Sequence, residues 1–183
     1  MSSPYLPKKL FLTRGVGRHR QRLTSFAMAL RSAAIAQYNL ARVSPTFPAH
    51  CKLISPEEGA KIPKPGQIVH AALSQNATNE ARQLTASVGV AIPKDHALHG
   101  YISLHHSFGQ TEKQAGDYAE DLAATMLATI LGINFDPNTS YDERKDIWRM
   151  SDKIVVTRHI TQSAVGDGDG TWTSVIAAAI FAE

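Results

Sequence analysis

The sequence predicts an α+β domain, two substantial helices packed on a mostly antiparallel sheet system. Three observations lead there. Residues 22–37 (RLTSFAMALRSAAIAQ) are Ala-rich, with Phe26, Leu30 and Ala33 at helical spacing. A second helix begins at Thr111, where Thr111 and Gln114 have capping-box spacing. Its apolar face is expected to be Ala115, Tyr118, Leu122 and Met126, running to about Leu131 before Gly132. Strand-forming residues fill the middle of the chain, at 67–73, 83–92 and 101–106. A length of 183 residues suits one well-packed domain over 1–183.

The other elements follow in order. Residues 9–13 (KLFLT) read as a strand ending in a Gly-x-Gly turn at Gly15 and Gly17. Residues 39–43 form a short strand that stops at Ser44-Pro45, because proline cannot donate to a ladder. Residues 50–54 form another. Ser55-Pro56-Glu57-Glu58 has the order of a helix start: cap, proline at the first position, acids near the positive end of the dipole. Residues 63–66 make a turn and 134–146 a polar, turn-rich stretch. Residues 153–161 and 171–181 read as two closing strands around a hairpin-type loop at 166–170.

Composition narrows the function classes. Hydrophobic residues make up 43% and charged residues 19%, which argues against wholesale disorder. No apolar run is long enough to span a membrane, and the N-terminus has no sustained apolar stretch, so a cytoplasmic protein is expected. A single cysteine, Cys51, excludes an intrachain disulfide and a multi-cysteine zinc site. The net charge of +3 hides an uneven distribution: Arg14, Arg18, Arg20 and Arg22 crowd the N-terminal third, while most acids follow residue 65. Opposite charges on one chain suit head-to-tail rings. The basic run reads as a solvated or locally paired face, and nucleic-acid binding is not expected without a recognised motif.

No set of residues establishes a chemistry by spacing alone. His105 and His106 are adjacent, so on a strand they point to opposite faces and cannot chelate together. His96 and His99 sit beside Pro93 in a turn, and no metal is expected. Asp167-Gly168-Asp169 lacks the rest of a calcium loop. Gly15-Val16-Gly17 lacks the third glycine of a dinucleotide fingerprint. Cys51 lies in an apolar run and reads as a buried thiol.

Four blocks in order carry a resemblance: NLARVS (39–44), FPAHCKLI (47–54), ASVGVAIPKD (86–95) and HHSFGQTEKQAGDYAEDLA (105–123). Together they resemble the pyruvoyl-dependent arginine decarboxylases, over nearly the whole chain. The resemblance implies a four-layer αββα sandwich, assembled as a trimer with sites between neighbouring subunits. It also implies a lyase of polyamine metabolism that converts arginine to agmatine and CO₂. In that family a serine attacks the carbonyl before it, the chain is cleaved, and a pyruvoyl group remains on the new N-terminus.

The matching positions depart from that chemistry. Pro45 falls on the pyruvoyl-forming position and has no hydroxyl. Leu104 stands where the family carries a proton-donating glutamate, and losing such an acid costs roughly 10²–10⁴ in rate. Ala27 stands where a carboxylate contacts the cationic substrate. Asn39 remains at a position that assists self-processing. The expectation is a non-processing pseudoenzyme without a cofactor. It keeps the fold and a homotrimer or higher oligomer, alone or mixed with a catalytic paralogue, and binds a small amine or peptide at the subunit interface. The rival expectation is an active decarboxylase whose pyruvoyl group forms at Ser44.

Overall fold

The structure, a computed structural model, describes residues 5–44 and 46–183. Its elements in order are β1 (Lys9–His19), α1 (Arg22–Ser32), β2 (Asn39–Arg42), β3 (Thr46–Phe47), β4 (Lys52–Ile54), α2 (Pro56–Gly59) and β5 (Ile68–Thr78). There follow β6 (Gln83–Pro93), β7 (Gly100–Phe108), α3 (Glu112–Ile130), α4 (Tyr141–Met150), β8 (Ile154–Val165) and β9 (Trp172–Ala182). The strands form a five-stranded sheet, β2-β5-β9-β1-β4, and a four-stranded sheet, β3-β7-β6-β8. Most pairs are antiparallel; β1–β4 and β2–β5 are parallel. The α+β class and the sandwich are therefore as expected.

Strand alternation builds the layers. On β9, Val175, Ala177, Ala179 and Phe181 point into the space between the sheets. Ile176, Ala178 and Ile180 point the other way, onto α1 with Ala29, Ala33 and Ile35. Burial on both faces explains why the strand reads as an unbroken apolar run. The four-stranded sheet repeats the arrangement. Leu84, Ala86, Val88 and Val90 of β6 face the inter-sheet core. Ala91 on its other face joins Ala123, Ala124 and Leu127 of α3.

Several expectations are corrected. β1 does not turn at Gly15 and Gly17 but continues to His19. The glycines serve close approach: a Cβ on Gly17 would run into the Ser25 carbonyl oxygen, and one on Gly15 into that of Ala29. Helix α1 ends at Ser32, five residues early, with Ala34 at φ 59° and Ile35 N donating to Leu30 O at 3.0 Å. That turn sends Ile35 and Tyr38 into the core.

The face predicted for α3 is also wrong beyond Ala115. Tyr118, Leu122 and Met126 are exposed, and the buried side is Ala115, Gly116, Ala119, Ala123, Ala124 and Leu127. Small residues let the helix lie close on β6, where a Cβ at Gly89 would meet the Ala119 carbonyl.

The stretch 134–146 is expected to be turn-rich, but α4 begins within it. Its Trp148 is buried and meets the Phe135 ring edge-on at 6.1 Å. Ser140 and Glu143 cap it reciprocally, a signal present in the sequence. The loop at 166–170 is not a hairpin. β8 pairs with β6 and β9 with β1 and β5, so the loop crosses between sheets.

Candidate functional site

β3 covers only the first two residues of β7, pairing Thr46 with Tyr101 and Phe47 with Gly100. The rest of β7 is therefore a sheet edge. Side chains of β5 satisfy part of it: Ser74 Oγ donates to His105 O at 2.6 Å, and Asn76 Nδ2 to Ser107 O at 3.0 Å. These bonds pin the two sheets together beside a cavity of about 640 Å³, which Asn76 also lines.

Four elements besides β7 line that cavity. The start of α1 brings Arg22, Leu23 and Phe26; β2 brings Arg42; β5 brings Gln75, Asn76 and Ala77; β9 brings Ser174. His106 enters from β7. Arg42 Nη2 donates to Gln75 Oε1 at 2.7 Å. The Arg22 guanidinium lies 5.1 Å from the Trp172 ring centre, a cation–π contact. Ser174 Oγ and Ser25 Oγ are hydrogen-bonded at 2.7 Å beneath it. The lining carries two arginines and a histidine but no carboxylate.

Just past Arg42 the same segment borders a second cavity of about 250 Å³. Val43, Ser44, Thr46 and Pro48 line one side of it, with Tyr5, His70 and Phe181 opposite. Tyr5 and His70 lie with ring centres 5.2 Å apart. Burial, and then the charge of Glu183, raise the Tyr5 phenol above its ordinary value.

The sequence-predicted positions fall around these two cavities unevenly. Ser44 is exposed and opens onto the smaller one. Leu104 is 37% exposed on β7, opposite Val88. Alternation puts it on the side of Ile102, which enters the inter-sheet core, and of His106, which lines the larger cavity. Ala27 is exposed on α1, one turn beyond Leu23. Pro45 lies outside the described residues. Asn39 lines neither cavity: its Nδ2 donates to Gly66 O at 2.7 Å. It stands about 16 Å along an extended chain from Ser44.

Other sequence readings resolve plainly. His105 and His106 do face opposite ways: His105 Nε2 meets Gln110 Oε1 at 2.8 Å and its ring packs on Tyr118, away from the cavity. Arg14 and Arg18 of the basic run are paired locally, with Glu112 at 2.6 Å and Asp167 at 3.4 Å. Cys51 is buried, and burial pushes its thiol up to about 11. Arg42, Gln75 and Asn76 were not foreseen. Nothing in their spacing marks them, because they come together only where β2 lies beside β5.

A pyruvoyl group does not fit Pro45 as its source, since its formation needs a hydroxyl side chain. Position 45 supplies no hydroxyl, and the side chains at positions 27 and 104 are hydrocarbon. Among the described residues, no carboxylate lines either cavity.

Among the described residues, no helix is long and apolar enough to cross a membrane. The family profile described as pyruvoyl-dependent arginine decarboxylase matches residues 9–183. A protein of Chloroherpeton thalassium named "Probable pyruvoyl-dependent arginine decarboxylase" is 55% identical, over 97% of this chain and 98% of its own length. A like-named protein of Chlorobaculum tepidum matches at 55% over the same shares. "Pyruvoyl-dependent arginine decarboxylase 2" of Methanosarcina acetivorans is 52% identical, over 96% of this chain and 97% of its own. Matches of this extent, on a sandwich of the expected kind, place the chain in the pyruvoyl-dependent arginine decarboxylase family.

Proposed function

We propose that this chain is a non-processing member of its family, a pseudoenzyme that keeps the fold and the oligomer and works by binding. One observation carries the reading: proline occupies the position where the pyruvoyl-forming serine is expected. An acyl shift needs a hydroxyl, and proline has none. Leu104 and Ala27 point the same way, since hydrocarbon replaces a proton donor and a substrate-binding acid. In this reading the protein is a cytoplasmic homotrimer or higher oligomer, alone or in a mixed ring with a catalytic paralogue. Its ligand, a small molecule or peptide, sits at the subunit interface.

Intact mass under denaturing conditions tests this. A single species near 19.9 kDa is expected. Pro45→Ser should then produce cleavage after Ser44, which would locate the block at that residue. Co-purification with a paralogue that processes itself would support the mixed ring, and a clean homo-oligomer at native expression would remove it.

A second reading has its own support. Ser44 is exposed and opens onto the smaller cavity, beside His70. Processing shifted by one residue would cleave between Val43 and Ser44, with the pyruvoyl group made from Ser44 and arginine decarboxylated to agmatine. A shift of one residue moves the reacting carbon about 3–4 Å, more than near-attack geometry tolerates. Two fragments in the mass spectrum would favour this reading.

A further inference from the structure

The family's substrate is a cation, yet the larger cavity of this chain carries the opposite complement. Arg22, Arg42 and His106 line it, and no carboxylate does. Four arginines outside the cavity are neutralised: Arg14 by Glu112, Arg18 by Asp167, Arg82 by Glu80 and Arg144 by Asp121. Among the described residues, neither Arg22 nor Arg42 has a carboxylate within ion-pair distance. Neutral groups hold both in place instead, the Trp172 ring face under Arg22 and the Gln75 amide on Arg42. The guanidinium groups are thus oriented while their charge stays uncancelled. The α1 end beside them adds the same sign, since its first turn has no acid. Leu23 and Phe26 supply an apolar wall, and about 640 Å³ is within the range of small-molecule sites.

We propose that this cavity binds an anion on an apolar body, a carboxylate or phosphate attached to a hydrocarbon or aromatic group, and excludes guanidinium and amine ligands. The inference rests on the non-processing reading, because a working decarboxylase would have to admit a cationic amino acid to this region. The anionic head would take charge-assisted hydrogen bonds from Arg42 and Arg22. The body would lie against Phe26 and Leu23.

The test is calorimetric titration of the full chain in its native oligomer with four probes: 4-phenylbutyrate, phenyl phosphate, 4-phenylbutylamine and agmatine. At least one of the two anions should bind saturably, more weakly as salt rises from about 50 to about 500 mM. Their ranking separates a carboxylate from a phosphate ligand. The amine and agmatine should give no heat of binding. Arg42→Gln and Arg22→Gln should each weaken anion binding by at least about tenfold. Arg31→Gln, on the same helix but away from the cavity, should leave it unchanged. Thermal melts of all three check that they fold. Binding of agmatine as tight as either anion, no saturable binding of either anion, or indifference to both arginine variants would overturn the proposal. Intact mass of the same preparation reads processing separately. A cleaved chain that still selects anions would sink the non-processing reading alone; an uncleaved chain that takes agmatine would sink this one alone.

Discussion

Helices α1 and α3 occupy equivalent places on the two outer faces of the sandwich, and they are built to different standards at their starts. Both lie on a strand glycine: Gly17 meets the Ser25 carbonyl and Gly89 that of Ala119. At its N-terminus α3 satisfies every local rule. Thr111 and Gln114 form a complete capping box, Glu112 sits in the first turn, and Arg14 reaches across from β1 to pair with it. Helix α1 breaks those rules. Gln21 makes no side-chain capping bond, the first turn has no acid, Arg22 stands at the positive end of the dipole, and Leu23 is 80% exposed. The sheet-facing sides follow the framework, while the free end of α1 faces the cavity. Local rules broken at one place and kept at its counterpart mark the place where structure yields to another demand.

That comparison can be broken at several depths. The largest effect should come from the shared feature. Gly89→Val and Gly17→Val each drive a side chain into helix backbone and should cost about 3 kcal/mol or more, read as a lower urea midpoint. Similar losses would confirm that both helices use the same close contact; a tolerated Gly17→Val would show that α1 can lift off its sheet. Next, Thr111→Ala removes the α3 cap and should cost about 1 kcal/mol by the same measurement. Gln21→Ser supplies the cap that α1 lacks and should add about 0.5–1 kcal/mol. If it destabilised instead, the start of α1 would already be satisfied in another way.

The smallest effect concerns acid. Burial pushes Glu112 upward, but hydrogen bonds from Arg14 and Ser163, with the Arg14 and His159 charges, outweigh it and hold the carboxyl below its ordinary 4.5. A lowered carboxylate stabilises the fold above its unfolded-state value, and that stability is lost as pH falls through the folded value. Glu112→Gln should therefore lower stability at neutral pH by under about 0.5 kcal/mol, since the side chain is half exposed. The gap to the wild type should start closing near pH 4.5 and vanish further into acid. A gap that widened in acid would contradict the assignment.

Much of this was legible from residues alone. Capping at Thr111 and Ser55, the middle strands and the burial of Cys51 follow from local chemistry and hydrophobic pattern. The family blocks were legible too. The α3 face was misread because large apolar residues are normally sought inward. Here the helix approaches β6 so closely that its buried side is mostly Ala and Gly, and Tyr118, Leu122 and Met126 turn outward. The hairpin at 166–170 was misread because a glycine-rich loop fixes a turn but not the sheet its strands join.

What the sequence determined by itself was which groups stand at positions 27, 45 and 104, since a hydroxyl or an acid is either encoded or not. It also set the class of the fold, through periods of two and of about three and a half residues. The tertiary structure alone decided the sign of the larger cavity. Arg22, Arg42 and His106 are far apart along the chain and unremarkable one by one. They share one space because β2 pairs with β5, because β3 stops short along β7, and because glycines draw α1 down onto its sheet. Charge depends on which groups are near each other, and nearness is a property of the packed chain.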